Sequence, residues 1–69
     1  MPLVLADPGT ESVIKRVGGN PEMKRHLEDL GFVPGSSVTV ISTIAGNLIV
    51  HVRESRVAIS REMAGKIMV

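Results

Sequence analysis

Between Ser37 and Ser60 the apolar side chains fall on alternate positions: Val38 and Val40, then Leu48, Val50 and Val52, then Val57 and Ile59. A period of two is the mark of extended strands with one face turned to a core. A slip of one residue between neighbouring strands would turn a whole valine set to solvent, so an even register is required. On that basis Val40 is expected opposite Val52 and Ile44 opposite Leu48. Ala45-Gly46-Asn47 is then a three-residue loop, with Asn47 in the left-handed position. The next hairpin is expected to pair Val52 with Val57 and Val50 with Ile59. Its turn, Glu54-Ser55, is poor chemistry for a two-residue connection, which predicts a wider one.

The flanking segments read as short elements. Val13 to Val17 is β-rich but does not alternate, because Val13, Ile14 and Val17 cannot share one face; a bulge, or cover on both faces, would reconcile them. Pro8-Gly9 and Gly18-Gly19 mark turns on either side. Asn20-Pro21-Glu22 opens a helix of about three turns, with Asn20 as N-cap and Pro21 in the first helical position. Met23, Leu27 and Leu30 form its apolar stripe, and Gly31 ends it. Pro34-Gly35 is a tight turn. Arg61 to Ala64 reads as a helical turn, and Lys66 to Val69 as a last strand. The expected fold is mainly β: a single domain over residues 1–69, with roughly five short strands, one inserted α-helix and a short C-terminal helical turn. Strands this short hide their edges most readily by curling into a small barrel.

Composition narrows the function. A chain of 69 residues can bury only roughly 60% of its unfolded surface, so its core must be efficient. That core is aliphatic, because Phe32 is the one aromatic residue. The absence of cysteine excludes disulfides and thiolate metal sites, and fits a reducing, cytoplasmic location. The first residues form no signal peptide, and no stretch approaches the roughly 20 apolar residues of a membrane span. No direct membrane insertion is expected. A net charge of +1, without a basic stripe or stacking aromatics, argues against a nucleic-acid partner.

The run Leu27-Glu28-Asp29-Leu30-Gly31-Phe32-Val33-Pro34-Gly35-Ser36-Ser37-Val38-Thr39-Val40 resembles the helix-to-strand signature of the FeoA family. Gly9 with Ile14-Lys15-Arg16-Val17-Gly18-Gly19 resembles the family's first strand, and Arg56-Val57-Ala58-Ile59-Ser60 with Ala64-Gly65-Lys66-Ile67-Met68-Val69 its end. The resemblance implies a small cytoplasmic SH3-like barrel. Such proteins accompany the membrane ferrous-iron transporter FeoB and bind its cytoplasmic part, supporting or regulating iron uptake. The same barrel forms the C-terminal domain of DtxR-type metal-dependent repressors, so the alternative is a regulatory domain of that kind. The DNA-binding and dimerisation helices of such repressors have no counterpart here, which favours the free-standing reading.

No nucleophile, base and orienting group converge in sequence, so no enzyme and no cofactor is expected. Glu22 and His26 stand at i, i+4 on the helix and could chelate a metal. A competent site needs a third ligand and supporting groups, so the plain reading is a first-turn carboxylate near a surface histidine. Function is expected on the outer face of the central hairpins. The register above sets Thr43 beside Ile49, Ile41 beside His51, Thr39 beside Arg53, and Arg56 opposite Arg53. Ile41, Ile49, His51, Arg53 and Arg56 would then form an apolar patch with a basic rim, suited to an acidic or amphipathic partner segment. Weak self-association is compatible with the same features.

Overall fold

The computed structural model describes residues 1–69 and arranges the strands in two antiparallel sheets. In chain order the elements are a 3₁₀ turn (Leu3–Leu5), β1 (Glu11–Val13), β2 (Arg16–Val17), α1 (Pro21–Asp29), β3 (Ser37–Ile44), β4 (Asn47–Val52), β5 (Ser55–Ser60), α2 (Arg61–Ala64) and β6 (Ile67–Met68). One sheet runs β1-β3-β4-β5 and the other pairs β2 with β6. The mainly β expectation holds, with six strands instead of about five. The expected barrel is not closed by a continuous hydrogen-bond ladder: the two sheets enclose the core without joining.

The missing alternation in Val13–Val17 explains the division. The segment is two strands, broken at Ile14-Lys15. Ile14 N–H donates to the Ser36 carbonyl at 2.9 Å, beside β3, while Lys15 N–H donates to the Met68 carbonyl at 2.7 Å, on β6. The backbone thus leaves one sheet and enters the other between adjacent residues. Val13 stays 55% exposed on the first sheet, while Ile14 and Val17 are buried.

The central hairpin differs from the register expected. Val40 pairs with Val50 and Val38 with Val52, while Ile44 pairs with Asn47, and the register shifts between Val40 and Ser42. Ile41 is the extra residue of a β-bulge. The connection is the two-residue turn Ala45-Gly46, in which Ala45 (φ 48°) and Gly46 (φ 80°) are both left-handed, while Asn47 is the first residue of β4. Two consecutive positive φ angles match the right-handed twist of the flanking strands, which makes such turns the favoured hairpin connection. The second hairpin is also tighter than expected. Val52 pairs with Ser55 around Arg53-Glu54, Val50 pairs with Val57, and Leu48 with Ile59.

The parity argument survives these changes. Val38, Val40, Leu48, Val50, Val52 and Ile59 are all buried. They share one core with Leu3, Ile14, Val17, Leu27, Phe32, Ala64, Ile67 and Val69. Helix α1 caps it through Leu27, with Met23 and Leu30 packed at its edge. The helix begins as its residues dictate: Asn20 Oδ1 accepts from Met23 N–H at 2.7 Å. It ends in a paired motif, with Phe32 N–H donating to the Leu27 carbonyl and Gly31 N–H to the Glu28 carbonyl, each at 2.9 Å. Gly31 carries φ +109° there. Short α2 has its own cap, Ser60 Oγ accepting from Met63 N–H at 3.1 Å. At the other end of the molecule Val69 N–H donates to the Met1 carbonyl at 2.7 Å, clasping the first residue to the last.

Two measurements check this account. Asparagine tolerates the left-handed region that alanine resists, so Ala45→Asn is expected to raise stability by up to about 1 kcal/mol, read as a higher urea midpoint with an unchanged slope. Phe32 has no exposed surface. Phe32→Ala is expected to cost about 3–5 kcal/mol, most of what a domain this small has, and to leave the chain largely unfolded by circular dichroism.

Candidate functional site

The bulge at Ile41 decides what the outer face of the larger sheet presents. Below it, Val38 and Val40 point inward and Thr39 outward, in step with His51 of β4. At the bulge, Ile41 and Ser42 stand against the single residue Ile49. Beyond it the parity is reversed. Thr43 now pairs with inward-facing Leu48, and Ile44 pairs with Asn47 on the outer side. Ile44 is 60% exposed and Ile41 38%.

Two bands result. Across the middle runs a polar row, Glu11–Thr39–His51–Arg56, fixed by successive cross-strand pairs. Beside it, toward the Ala45-Gly46 turn, Ile41 and Ile49 meet Ala58, which pairs with Ile49, and Ile44 extends the apolar band to the hairpin tip. Ile49 is half-buried; His51, Arg56 and Ala58 are exposed.

Four of the five residues expected on this face are therefore on it: Ile41, Ile49, His51 and Arg56. Their pairings differ, because His51 faces Thr39 and Arg56, and Ile41 stands in the bulge against Ile49. Arg53 is not among them. It occupies the second turn with φ 56°, and its stem lies over Gly31, where a Cβ would stand 3.2 Å from Arg53 Cδ. There its positive charge is placed favourably at the C-terminal end of α1, where unpaired carbonyls concentrate negative potential. The expected opposition of Arg53 and Arg56 does not arise. Sequence reasoning missed Ile44, which it had assigned inward opposite Leu48. The signal was in Ala45-Gly46: a two-residue turn shifts the pairing by one and forces the compensating bulge.

The second candidate, Glu22 with His26, lines a groove of about 440 Å³ between α1 and α2, together with Asn20, Met23 and Met63. No group of three or more His, Cys, Asp or Glu side chains gathers anywhere in the molecule. Asn20 Oδ1 is already engaged in capping α1. The pair thus gains no third ligand of this type from the fold. No helix is long and apolar enough to cross a membrane.

Comparison with known proteins agrees along the whole chain. The family model of the FeoA domain matches residues 1–69. A protein of Methanocaldococcus jannaschii named Fe(2+) transport protein A is 34% identical over 68 residues, covering 99% of this chain and 83% of the relative. Among solved structures, the FeoA of Stenotrophomonas maltophilia, a prokaryotic SH3-domain protein in complex with zinc, superposes with a TM-score of 0.86 at 27% identity, covering 99% of this chain and 87% of that one. A manganese-dependent transcriptional repressor superposes with a TM-score of 0.88 at 21% identity, over 97% of this chain and 39% of the repressor, a likeness of fold alone.

If the apolar band is a surface and not a part of the core, Ile41→Ser with Ile49→Ser should leave a cooperative unfolding transition. The expected cost is below about 1 kcal/mol per site, read from the urea midpoint. Collapse of the fold would place both isoleucines inside.

Proposed function

The chain belongs to the FeoA-domain family, and from that premise we propose that it serves ferrous iron uptake as a binding module that docks on the cytoplasmic part of a FeoB-type transporter. Ferrous iron transport is the setting of the family. Docking on the transporter, and the cytoplasmic location it requires, are our reading.

The observation that supports it is the outer face. Ile41, Ile44 and Ile49 are carried outward as neighbours on one sheet face, beside His51 and Arg56. An apolar centre with a basic flank suits a segment that is apolar on one side and acidic on the other. The core itself is formed by apolar side chains with no polar or charged residue buried among them. The repressor-type alternative has a likeness of fold behind it and no further feature of this chain.

The test is a calorimetric titration of the transporter's isolated cytoplasmic domain with this protein, with and without guanine nucleotide. Saturable one-to-one binding is expected. The Ile41→Ser/Ile49→Ser double variant should weaken it by at least about tenfold, the loss typical of removing an apolar anchor. Unchanged affinity in a folded double variant would move docking to another surface. No binding by the unaltered protein in either nucleotide state would refute the transporter partnership.

A further inference from the structure

On the outer face of the larger sheet the charges are distributed unevenly and the isoleucines evenly. The row Glu11–Thr39–His51–Arg56 crosses β1, β3, β4 and β5 in that order. It is acidic at one margin and basic at the other, and Glu11, His51 and Arg56 are exposed. In the apolar band beside it, Ile41 on β3 and Ile49 on β4 straddle the middle of the sheet. On either side of the line between β3 and β4, the charges are therefore opposite and the isoleucines alike.

A face of this kind complements itself under one symmetry operation. When two copies meet face to face, their two-fold axis lies in the plane of contact, and each residue pair is repeated in reverse. An axis along the strands, between β3 and β4, exchanges β1 with β5 and β3 with β4. Glu11 then lies over the partner's Arg56, and Arg56 over the partner's Glu11. Thr39 lies over the partner's His51, and Ile41 over the partner's Ile49. At the base of the sheet, Val13 comes over the partner's Glu54 and Ser37 over the partner's Arg53, so no like charges are set opposite. Other axes lose this match. One across the strands, along the charged row, sets Glu11 on the partner's Glu11 and Arg56 on the partner's Arg56. One between the row and the band lays His51 on the partner's Ile49. One along β4 sets His51 on the partner's His51 and leaves Glu11 uncovered.

We propose that the chain pairs with a second copy of itself, face to face through this sheet, about a two-fold axis running between β3 and β4. Stacked sheets lie about 10 Å apart with their strands within about 30° of each other. An arginine and a glutamate reaching from opposite sides span that gap, and the isoleucines fill it. The contact is one face of a molecule measuring 28 × 24 × 22 Å. That places it at the lower end of the roughly 1,200–2,000 Å² buried in stable complexes, or below it. The dimer is therefore weak and concentration-dependent. The inference does not rest on the transporter reading, although both use the isoleucine band and exclude one another there. Its test uses this chain alone, so either can fail without the other.

The experiment is sedimentation velocity of the full chain at low salt, from about 1 μM to 1 mM, with backbone amide chemical shifts followed over the same range. The weight-average mass should rise from the 7.4 kDa of one chain toward twice that value. The shifts should move at Thr39, Ile41, Ile49 and His51, and stay fixed on β2 and β6. Glu11→Arg sets arginines against each other at two points in each dimer and should weaken it by about tenfold. Adding Arg56→Glu inverts both pairs and should restore the affinity. A chain that stays monomeric up to about 1 mM overturns the proposal. So does a dimer whose shifting amides lie on another surface, or a double variant that pairs no more tightly than the single one. The shifts of the unaltered protein decide the matter even if a variant fails to fold.

Discussion

Four valines on two neighbouring strands, Val38, Val40, Val50 and Val52, must leave water together, and the rest of the domain is arranged around that requirement. Each contributes roughly 1.5–3 kcal/mol on full burial, against a stability of only a few kcal/mol for a domain this size. Turning either pair outward would remove more than the fold can spare. The two strands therefore have one acceptable parity at their paired centre, and any irregularity must be accommodated elsewhere.

It is accommodated at Ile41. The tight turn Ala45-Gly46 sets one register at the hairpin tip, and the valines demand another at its base. The two differ by one residue, and a bulge is the least disruptive way to absorb it. The same residue that rescues the core reverses the parity beyond it and carries Ile44 to the outside. Core packing and surface chemistry are thus linked through one backbone irregularity. The exposed isoleucine band follows from how the interior is closed, and needs no separate strain to maintain it.

Local chemistry was legible in the sequence wherever a residue acts on its immediate neighbours. Asn20 caps α1, Gly31 terminates it, and the Arg61–Ala64 turn follows Ser60, all as their side chains dictate. The buried set was legible too, because it depends on parity alone. The exact pairing was not, since it depends on competition between a turn and a core that lie several residues apart. The same limit applies to the site. Ile41, Ile49, His51 and Arg56 face outward for reasons of parity, whereas Arg53 was misplaced because its left-handed turn conformation breaks the alternation. Its stem then finds Gly31, a contact distant in sequence that no periodicity encodes.

The likeness to a repressor domain bears on what such a fold can be used for. The interior is apolar throughout, and no polar or charged side chain is buried in it. At 21% identity the likeness to the repressor is one of architecture alone. In this chain the surface that stands out is the one set by the bulge. An apolar band fixed by the core's own geometry is presented without ordering cost, because its strands are held in place whether or not anything is bound. Such preorganisation would lower the entropy lost if a partner docks there.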